Sequence, residues 1–488
     1  MSKPTINSDN SNLSNSQVVM TNEQLSMLLT QIKQPGKPKE DKPAKATPAD
    51  IAKQIMTKYN FISISGDSDR KDMYCYDKKR GVYINRGREF IAEQIVKIDS
   101  QASKNKCVEV VHHICIRTIK DRDELNKNEH LLNVTNGMVN LDTKELTEHN
   151  PEYCSTKQLN IIYDPDAKCP IINKFFGEIV NSDNVPLLYE FVGYLLVSGY
   201  PIHKAFMLVG DGRNGKTTFM RLLKEFIGKG NWSAILLQEL SSQDRFSKWS
   251  LVNRMVNICD DLPSKSIDSN YTGTFRMITG ESPMTAEKKF ADKIEFLNEC
   301  KMIFACNRIP PAHGAEDAYY SRWIIINFPN RFLAGENQDS KLIQKLTMPE
   351  ELSGLLNVAI ESRHKLLANG KFSTDVSDKK TKELYLSLIG GESSVAKFIA
   401  ALVRHNGSSM IPKRKLYESY LIYCREHGFD MNSEDGFHRE FKSIMGDIKE
   451  YMPSIGNKRV RAYQGIKIEP FKEFQTMITE EEYNAIDS

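Results

Sequence analysis

The sequence has no C-x-x-C pair. Its 9 cysteines (Cys75, Cys107, Cys115, Cys154, Cys169, Cys259, Cys300, Cys306 and Cys424) are dispersed and odd in number. That pattern argues against a thiolate zinc site and against a disulfide framework, and it suits a reducing compartment. Apolar runs of transmembrane length are missing, as is a leader of basic, apolar and small residues in that order. The expectation is a cytoplasmic chain with no membrane partner. An excess of one charge is lacking too. With 66 Lys and Arg against 63 Asp and Glu, the formal net charge is only +3. A nucleic-acid partner must therefore be argued from local patches. What is present is ordinary for a globular protein: 488 residues, 40 % hydrophobic and 26 % charged. That length suits about two or three domains.

One stretch organises the rest. Val209-Gly210-Asp211-Gly212-Arg213-Asn214-Gly215-Lys216-Thr217-Thr218 matches G-x-x-x-x-G-K-[ST], the phosphate-binding loop. Ala205 to Val209 is a short apolar run that reads as a buried parallel strand. Phe219 to Phe226 places apolar groups at helical spacing, so the motif sits between a strand and a helix start as its chemistry requires. Gly210, Gly212 and Gly215 let the backbone curl and aim N–H groups at phosphate oxygens. The helix N-terminus adds partial positive charge there. Lys216 reaches the β- and γ-phosphates, and the Thr217 hydroxyl can ligate Mg²⁺. The alternative is a chance glycine-rich turn. The expected ligand is a nucleoside triphosphate with Mg²⁺, held by Gly210 through Thr218.

Upstream, residues 1–48 are rich in Ser, Asn, Gln, Pro and Lys and cannot build a core. They read as a disordered tail or as a partner-docking arm, with Leu25 to Ile32 its one apolar patch. Residues 49–130 read as a small α/β region. Ile51 to Tyr59 and Phe90 to Ile98 have helical patterns, and a hairpin turns around Asp77 to Arg80. Asp67 and Asp69 form an Asp-x-Asp pair, followed later by His112-His113. The two acids read as solvated loop acids or as metal-holding carboxylates. Within 131–200, Leu132 to Leu141 reads as a hairpin with an Asn136-Gly137 turn. Tyr163 to Pro170 reads as a loop, and Ile172 to Val180 and Val185 to Leu196 as helices.

Downstream, Arg254 to Asp261 is a buried-strand pattern ending in two acids. Asp260 is assigned to the metal and Asp261 to the attacking water, with the order of the two open; an acidic turn after a strand is the other reading. From Ile278 to Phe296, two strand-like segments flank a lysine-rich tip. Lys288, Lys289 and Lys293 can grip a phosphate backbone and Phe290 can stack on a base. A solvated charged loop is the other reading. Cys300 to Asn307 is a further buried strand ending in an amide that can hold water near a γ-phosphate. Arg322 directly precedes the apolar run from Trp323 to Phe328. It reads as an arginine for a neighbouring subunit's γ-phosphate or as a structural arginine within its own.

This ordered set resembles the superfamily 3 helicases, a branch of the AAA+ ATPases, and most closely the helicase part of phage, plasmid and viral primase-helicases. The resemblance covers roughly residues 130–340. It implies Walker A at Gly210–Thr217, Walker B at Asp260-Asp261, a DNA-binding hairpin around Lys288-Lys289, sensor 1 at Asn307 and an arginine finger at Arg322. A single arginine stands before the last strand, and the Walker B pair is Asp-Asp. The implied fold is α/β. An AAA+-type P-loop ATPase core at 201–340 follows the small region at 49–130 and a primase-helicase-like helical lead-in at 131–200. A helical linker or lid at 341–385 and a winged-helix-like domain at 386–470 precede a tail at 471–488. In that last domain Lys413, Arg414, Lys415, Lys458, Arg459 and Arg461 are the expected phosphate contacts; a plain helical lid is the other reading of this region. The implied activity is an ATP-driven replicative helicase or translocase of a virus, phage or plasmid-like element. It would move 3′ to 5′ on single-stranded DNA as a homo-hexameric ring, acting at fork or origin DNA. A primase or another replication protein would dock on the N-terminal region. The alternatives are an ATP-dependent origin-binding or assembly protein, a bifunctional primase-helicase, and a small-molecule P-loop kinase.

Overall fold

The computed structural model describes residues 46–65, 72–240, 246–264, 267, 269–287, 293–312, 315–333, 339–373, 378–388, 393–445, 448–455 and 458–469. The tails, Asp67, Asp69, Lys288, Lys289 and Phe290 lie outside these residues. The chain divides into two compact units between Leu159 and Asn160, inside the 131–200 stretch.

In the first unit, α1 (Pro48–Met56) starts where Thr47 and Asp50 cap each other's backbone N–H groups, a capping box that satisfies two otherwise orphaned donors. Strands β1 (Phe61–Ile64), β2 (Met73–Asp77) and β3 (Val82–Ile84) are followed by α2 (Gly87–Ile98), α3 (Lys104–Arg117) and β4 (Ile119–Lys120). They form a sheet of order β3-β2-β1-β4. The expected hairpin around Asp77 to Arg80 is present, with Tyr76 opposite Tyr83. The helices pack on the sheet through Ile51, Ile55, Ile91, Ile95, Val110 and Ile114. His112 and His113 lie on α3.

The second sheet of this unit is β5 (Leu131–Val134), β6 (Gly137–Asn140) and β7 (Leu146–Thr147). Its two-residue turn is Thr135-Asn136, and Gly137 is already paired with Val134. Thus the glycine is not a turn centre. It sits where a Cβ would lie 2.3 Å from the Thr147 carbonyl oxygen, so close strand approach requires it. Asn133 donates to the Gly81 carbonyl and accepts at its own carbonyl from Leu159 N–H. These bonds tie β5 into the first unit.

The second unit begins with α4 (Pro170–Ile179) and α5 (Val185–Tyr194). Strand β8 (Ala205–Val209) runs into the glycine-rich loop and α6 (Lys216–Ile227). Then come β9 (Trp232–Ser233), β10 (Val256–Cys259), α7 (Ser269–Ile278), β11 (Met284–Glu287), β12 (Lys293–Phe296), β13 (Lys301–Cys306), α8 (Asp317–Tyr320) and β14 (Trp323–Asn327). Five of these strands form one all-parallel sheet of order β14-β8-β13-β10-β9. Parallel strands covered on both faces read as continuous apolar runs, and β8, β10 and β13 are buried at every position. This sheet is the α/β P-loop core expected from the motif.

Helices α9 (Leu342–Leu346), α10 (Pro349–Asn369) and α11 (Asp378–Leu388) follow. Next come α12 (Ser394–Leu402), β15 (Val403–Pro412), α13 (Lys413–His427), α14 (Glu434–Met445), β16 (Lys449–Tyr451) and, after two short paired strands, β19 (Ala462–Ile468), where β17 is Ser454–Ile455 and β18 is Lys458–Arg459. The C-terminal helices surround Phe398, Tyr420, Phe437 and Phe441 and back onto a β15-β19-β16 sheet. Strand β15 has no counterpart in the sequence reading. Its Arg-His-Asn-Gly-Ser-Ser run lacks apolar alternation, and its antiparallel pairing with β19 shifts register between His405 and Met410.

Candidate functional site

In a parallel sheet all carboxyl ends emerge on one edge, and ligands bind in the crevice outside them. Cys306 is level with Val209, and Cys259 with Phe304. The glycine-rich loop after β8, Asn307 after β13 and Asp260-Asp261 after β10 therefore share that edge. Leu262 N–H donates to Ala305 O at 2.7 Å, which pins the chain just past the two acids onto the neighbouring strand.

Contacts between residues 179 or more positions apart shape another wall of this crevice. Helix α4 begins at Pro170, and its N-cap Cys169 makes no side-chain cap bond. Instead the Glu351 carboxylate from α10 accepts from Ile171 N–H at 3.1 Å and Ile172 N–H at 2.9 Å. Asn357, two turns along α10, donates to Ala167 O at 3.0 Å and to Asp164 O at 2.9 Å. The loop from Tyr163 to Cys169 is thus shaped by α10, and it delivers α4 to the nucleotide edge.

The glycine-rich loop takes left-handed backbone at Gly212 (φ 100°), Arg213 (φ 52°) and Gly215 (φ 88°). A Cβ on Gly215 would lie 2.5 Å from Ile179 Cγ2 of α4. Asn214 is buried at 3 % exposure. Its Nδ2 donates to Phe328 O at 3.0 Å, and its Oδ1 accepts from Lys216 Nζ at 2.8 Å. The Asn214 side chain is therefore a strut between the loop and the end of β14, although the sequence motif grouped it with ligand contacts. Lys216 Nζ also donates to Gly210 O at 2.6 Å. Two of its three protons are engaged by the loop, which leaves one for a phosphate oxygen. Burial pushes the Lys216 ammonium below the usual lysine range, with the negative charges of Asp211 and Asp261 opposing the shift.

Asp260 Oδ2 pairs with Lys224 Nζ of α6 at 2.6 Å, and that ammonium lies 4.8 Å from the Trp232 ring centre. Asp260 Oδ1 is buried without a hydrogen-bond partner among the described residues. An unpartnered carboxylate oxygen and the Thr217 hydroxyl on the wall of one cavity are a donor set that fits a hard cation such as Mg²⁺. Among the described residues no cluster of three His, Cys, Asp or Glu side chains forms a metal site, so a bound Mg²⁺ would take its remaining ligands from phosphate and water.

A cavity of about 1220 Å³ joins these groups, ample for a nucleoside triphosphate. Gly212 to Thr218, Asp260, Asp261 and Asn307 line it, while Gly210 and Asp211 are not on its wall. Its wall also holds residues that the sequence reading did not single out: Ile171, Lys174 and Phe175 of α4, Arg221 of α6, Phe332, and Leu342, Ile343 and Lys345 of α9. Arg221 was within reach of sequence reasoning, because it stands one helical turn after Thr217. The apolar residues of α4 and α9 carry no motif. Cys306 and Cys259 are buried at the same edge, and burial pushes both thiols up to about 12.

Arg322 is elsewhere. Trp323 pairs with Ala205, at the opposite end of β8 from the glycine-rich loop. Five residues of strand separate the two ends, roughly 17 Å at 3.3 Å per residue. Its Nη1 donates to Thr279 O at 3.0 Å, and burial holds its pKa below the usual arginine value. Strands β11 and β12 form the expected hairpin, with Glu287 opposite Lys293, and Lys293 is exposed. Of the expected phosphate contacts near the C-terminus, Lys413 is engaged within the fold. It pairs with Glu450 at 2.9 Å and lies 4.8 Å from the Tyr463 ring centre. Arg414, Arg459 and Arg461 are exposed.

Three segments of the chain match described families: residues 52–181 match D5 N terminal like, residues 208–322 match a family of unknown function (DUF5906), and residues 393–477 match Poxvirus D5 protein-like. The chain is similar to "Putative helicase L207/L206" of Acanthamoeba polyphaga mimivirus, 25 % identical over 53 % of this chain and 28 % of that protein. It is also similar to "Putative helicase 184R" of Invertebrate iridescent virus 6, 22 % identical over 43 % of this chain and 23 % of that protein. The chain thus spans about a quarter of the length of these relatives. A solved apo structure of the NrS-1 C-terminal region aligns with 86 % of this chain and 100 % of that one, at 13 % identity and a TM-score of 0.42. The likeness to viral superfamily 3 helicases, drawn from motif order, is borne out by the D5-like segments and the two viral relatives.

Proposed function

We propose that this chain is an ATP-driven DNA helicase or translocase serving replication of a viral or similar mobile genome. In this reading it works as a ring of identical copies, moving 3′ to 5′ on single-stranded DNA. The observation that carries the proposal is the division of the parallel sheet. One edge gathers Lys216, Thr217, Asp260, Asp261 and Asn307 around one cavity, while Arg322 sits at the other end of the strands. An arginine that far from its own nucleotide edge can serve a γ-phosphate only in a neighbouring copy. The D5-like segments and the helicase names of the relatives support the same reading.

In this mechanism the loop N–H groups, the α6 N-terminus and the third proton of Lys216 bind the triphosphate. Thr217 and Asp260 would hold Mg²⁺, which supplies charge neutralisation at the phosphates. Lys224 holds Asp260 through Oδ2, which would leave Oδ1 to ligate the cation, a supporting contact of the kind that orients metal ligands. Asp261 and Asn307 hold the attacking water. Arg322 of the adjacent copy stabilises charge developing on the transferred phosphoryl group. Lys293, at the start of the hairpin's second strand, tracks the DNA backbone.

The test is ATP hydrolysis by the purified chain with and without single-stranded DNA. Lys216→Ala should abolish turnover. Arg322→Ala should abolish most turnover but retain ATP binding. Mixing these two inactive variants should restore part of the activity, because a mixed interface can pair an intact loop with an intact arginine. Hydrolysis indifferent to DNA would instead favour an ATP-dependent assembly or origin-binding protein. Normal turnover by Arg322→Ala would remove the trans-acting role.

A further inference from the structure

The segments that lead into and out of the β11–β12 hairpin meet at one side chain. Asn298, just past β12, is 3 % exposed. Its Nδ2 donates to Ile278 O at 2.8 Å and to Cys300 O at 2.9 Å, and its Oδ1 accepts from Cys300 N–H at 3.3 Å. Ile278 is the last residue of α7, on the entry side of the hairpin. The next carbonyl along the chain, that of Thr279, accepts the Arg322 guanidinium at 3.0 Å. Two consecutive carbonyls at one helix end therefore hold the hairpin exit and the arginine. Carbonyls at a helix C-terminus lack intrahelical partners and carry partial negative charge, so they suit such donors.

Helix α7 is joined to the Arg322 segment twice more. The Phe275 ring stacks on Trp323 with centroids 4.4 Å apart and planes 15° apart. Arg276 pairs with Glu316 at 2.7 Å. The α7 C-terminus, Arg322 and the start of β14 therefore behave as one packed block, and a side chain with both amide ends engaged attaches the hairpin stem to it. Such a network has the physical continuity that coupling requires, and only a coupling measurement establishes it.

We infer that Asn298 is a positioning residue that links DNA engagement by the β11–β12 hairpin to the placement of Arg322. Force or displacement at the stem reaches Ile278 through the Asn298 amide, and the adjacent Thr279 carbonyl carries it to the guanidinium. DNA bound by one copy thereby adjusts the arginine that this copy presents to its neighbour's nucleotide. This inference rests on the helicase reading and adds the residue that couples its two sites.

The experiment uses the full chain and measures ATP turnover without DNA and with saturating single-stranded oligonucleotide. ATP binding, oligonucleotide binding and thermal melting are recorded in parallel. In Asn298→Ala the ratio of DNA-stimulated to basal turnover should fall about fivefold or more, because the bond to Ile278 O that joins the two segments is lost together with both bonds to Cys300. Basal turnover and both binding affinities should hold. A merely structural role would lower basal and stimulated rates together and leave the ratio unchanged, which overturns the inference. Should the alanine variant melt below the assay temperature, Asn298→Ser keeps one hydroxyl donor and is read by the same ratio. Wild-type stimulation with an equal ratio in the variant refutes the coupling alone. Absence of stimulation in the wild type refutes the helicase reading and the coupling with it.

Discussion

Asn214→Ala is the perturbation that most directly separates a strut from a ligand contact. The substitution removes the Nδ2 donor from Phe328 O and the Oδ1 acceptor from Lys216 Nζ. Both bonds are buried, and Phe328 is 1 % exposed. Leaving a buried carbonyl unsatisfied costs about 1–3 kcal/mol, and a hydrogen bond to a charged group contributes about 1.5–3 kcal/mol. Lys216 keeps its bond to Gly210 O, so the summed loss should lie near the low end, about 2–4 kcal/mol. Part of this appears as lower stability. The rest appears in nucleotide binding, because a loop no longer anchored to β14 must be ordered by the ligand. Titration with a fluorescent ATP analogue should show Kd raised about tenfold or more, since 1.4 kcal/mol is a factor of ten. Asn214→Asp should bind more weakly still. It loses the donor to Phe328 and places a carboxylate under the triphosphate. Wild-type affinity together with a wild-type melting temperature in Asn214→Ala would refute the strut.

Three further outcomes follow from other parts of the molecule. Glu351→Ala leaves the N–H groups of Ile171 and Ile172 without the acceptor they have now. It should destabilise the chain by about 2–4 kcal/mol in a denaturant titration and also weaken nucleotide binding, because α4 lines the cavity. Glu450 is held down to about 2 from an ordinary value of 4.5, first by its bond to Lys442 and then by Lys413. Its folded value is depressed, so its stabilisation is present above pH 4.5 and is lost as pH falls toward 2. Being 37 % exposed, it contributes about 1 kcal/mol or less after solvent screening. The melting difference between wild type and Glu450→Gln should therefore be small at pH 7 and close on acidification. All nine cysteines are buried, and burial holds Cys259 and Cys306 near 12. Thiol titration of the native chain at pH 7 should be slow, and fast only after denaturation; rapid labelling of Cys306 would contradict its burial.

Much of the candidate site was legible because its parts are local. A strand, a glycine turn and a helix start are contiguous from Ala205 to Phe226, and each has its own periodicity or backbone demand. The strand before Asp260-Asp261 and the one before Asn307 were legible for the same reason, since fully buried parallel strands are continuous apolar runs. The Thr135-Asn136 turn was misplaced by one residue. The sequence marks Gly137 as special, but a close approach by Thr147 requires the glycine there, and local chemistry does not reveal which strand approaches. Strand β15 was missed because its polar residues become a strand only when β19 pairs with them.

By itself, then, the sequence determined the parallel P-loop core, the glycine-rich loop with the residues that share its edge, and the likeness to viral helicases, because local patterns and motif spacing encode them. Tertiary structure alone decided the rest. It made Asn214 a strut, set Glu351 as the cap of a helix about 180 positions away, left Asp260 with one buried oxygen open, and placed Arg322 on the Thr279 carbonyl. Each of these depends on which distant donors and acceptors packing brings within about 3 Å, and a hydrogen bond leaves no periodic trace in the chain that makes it.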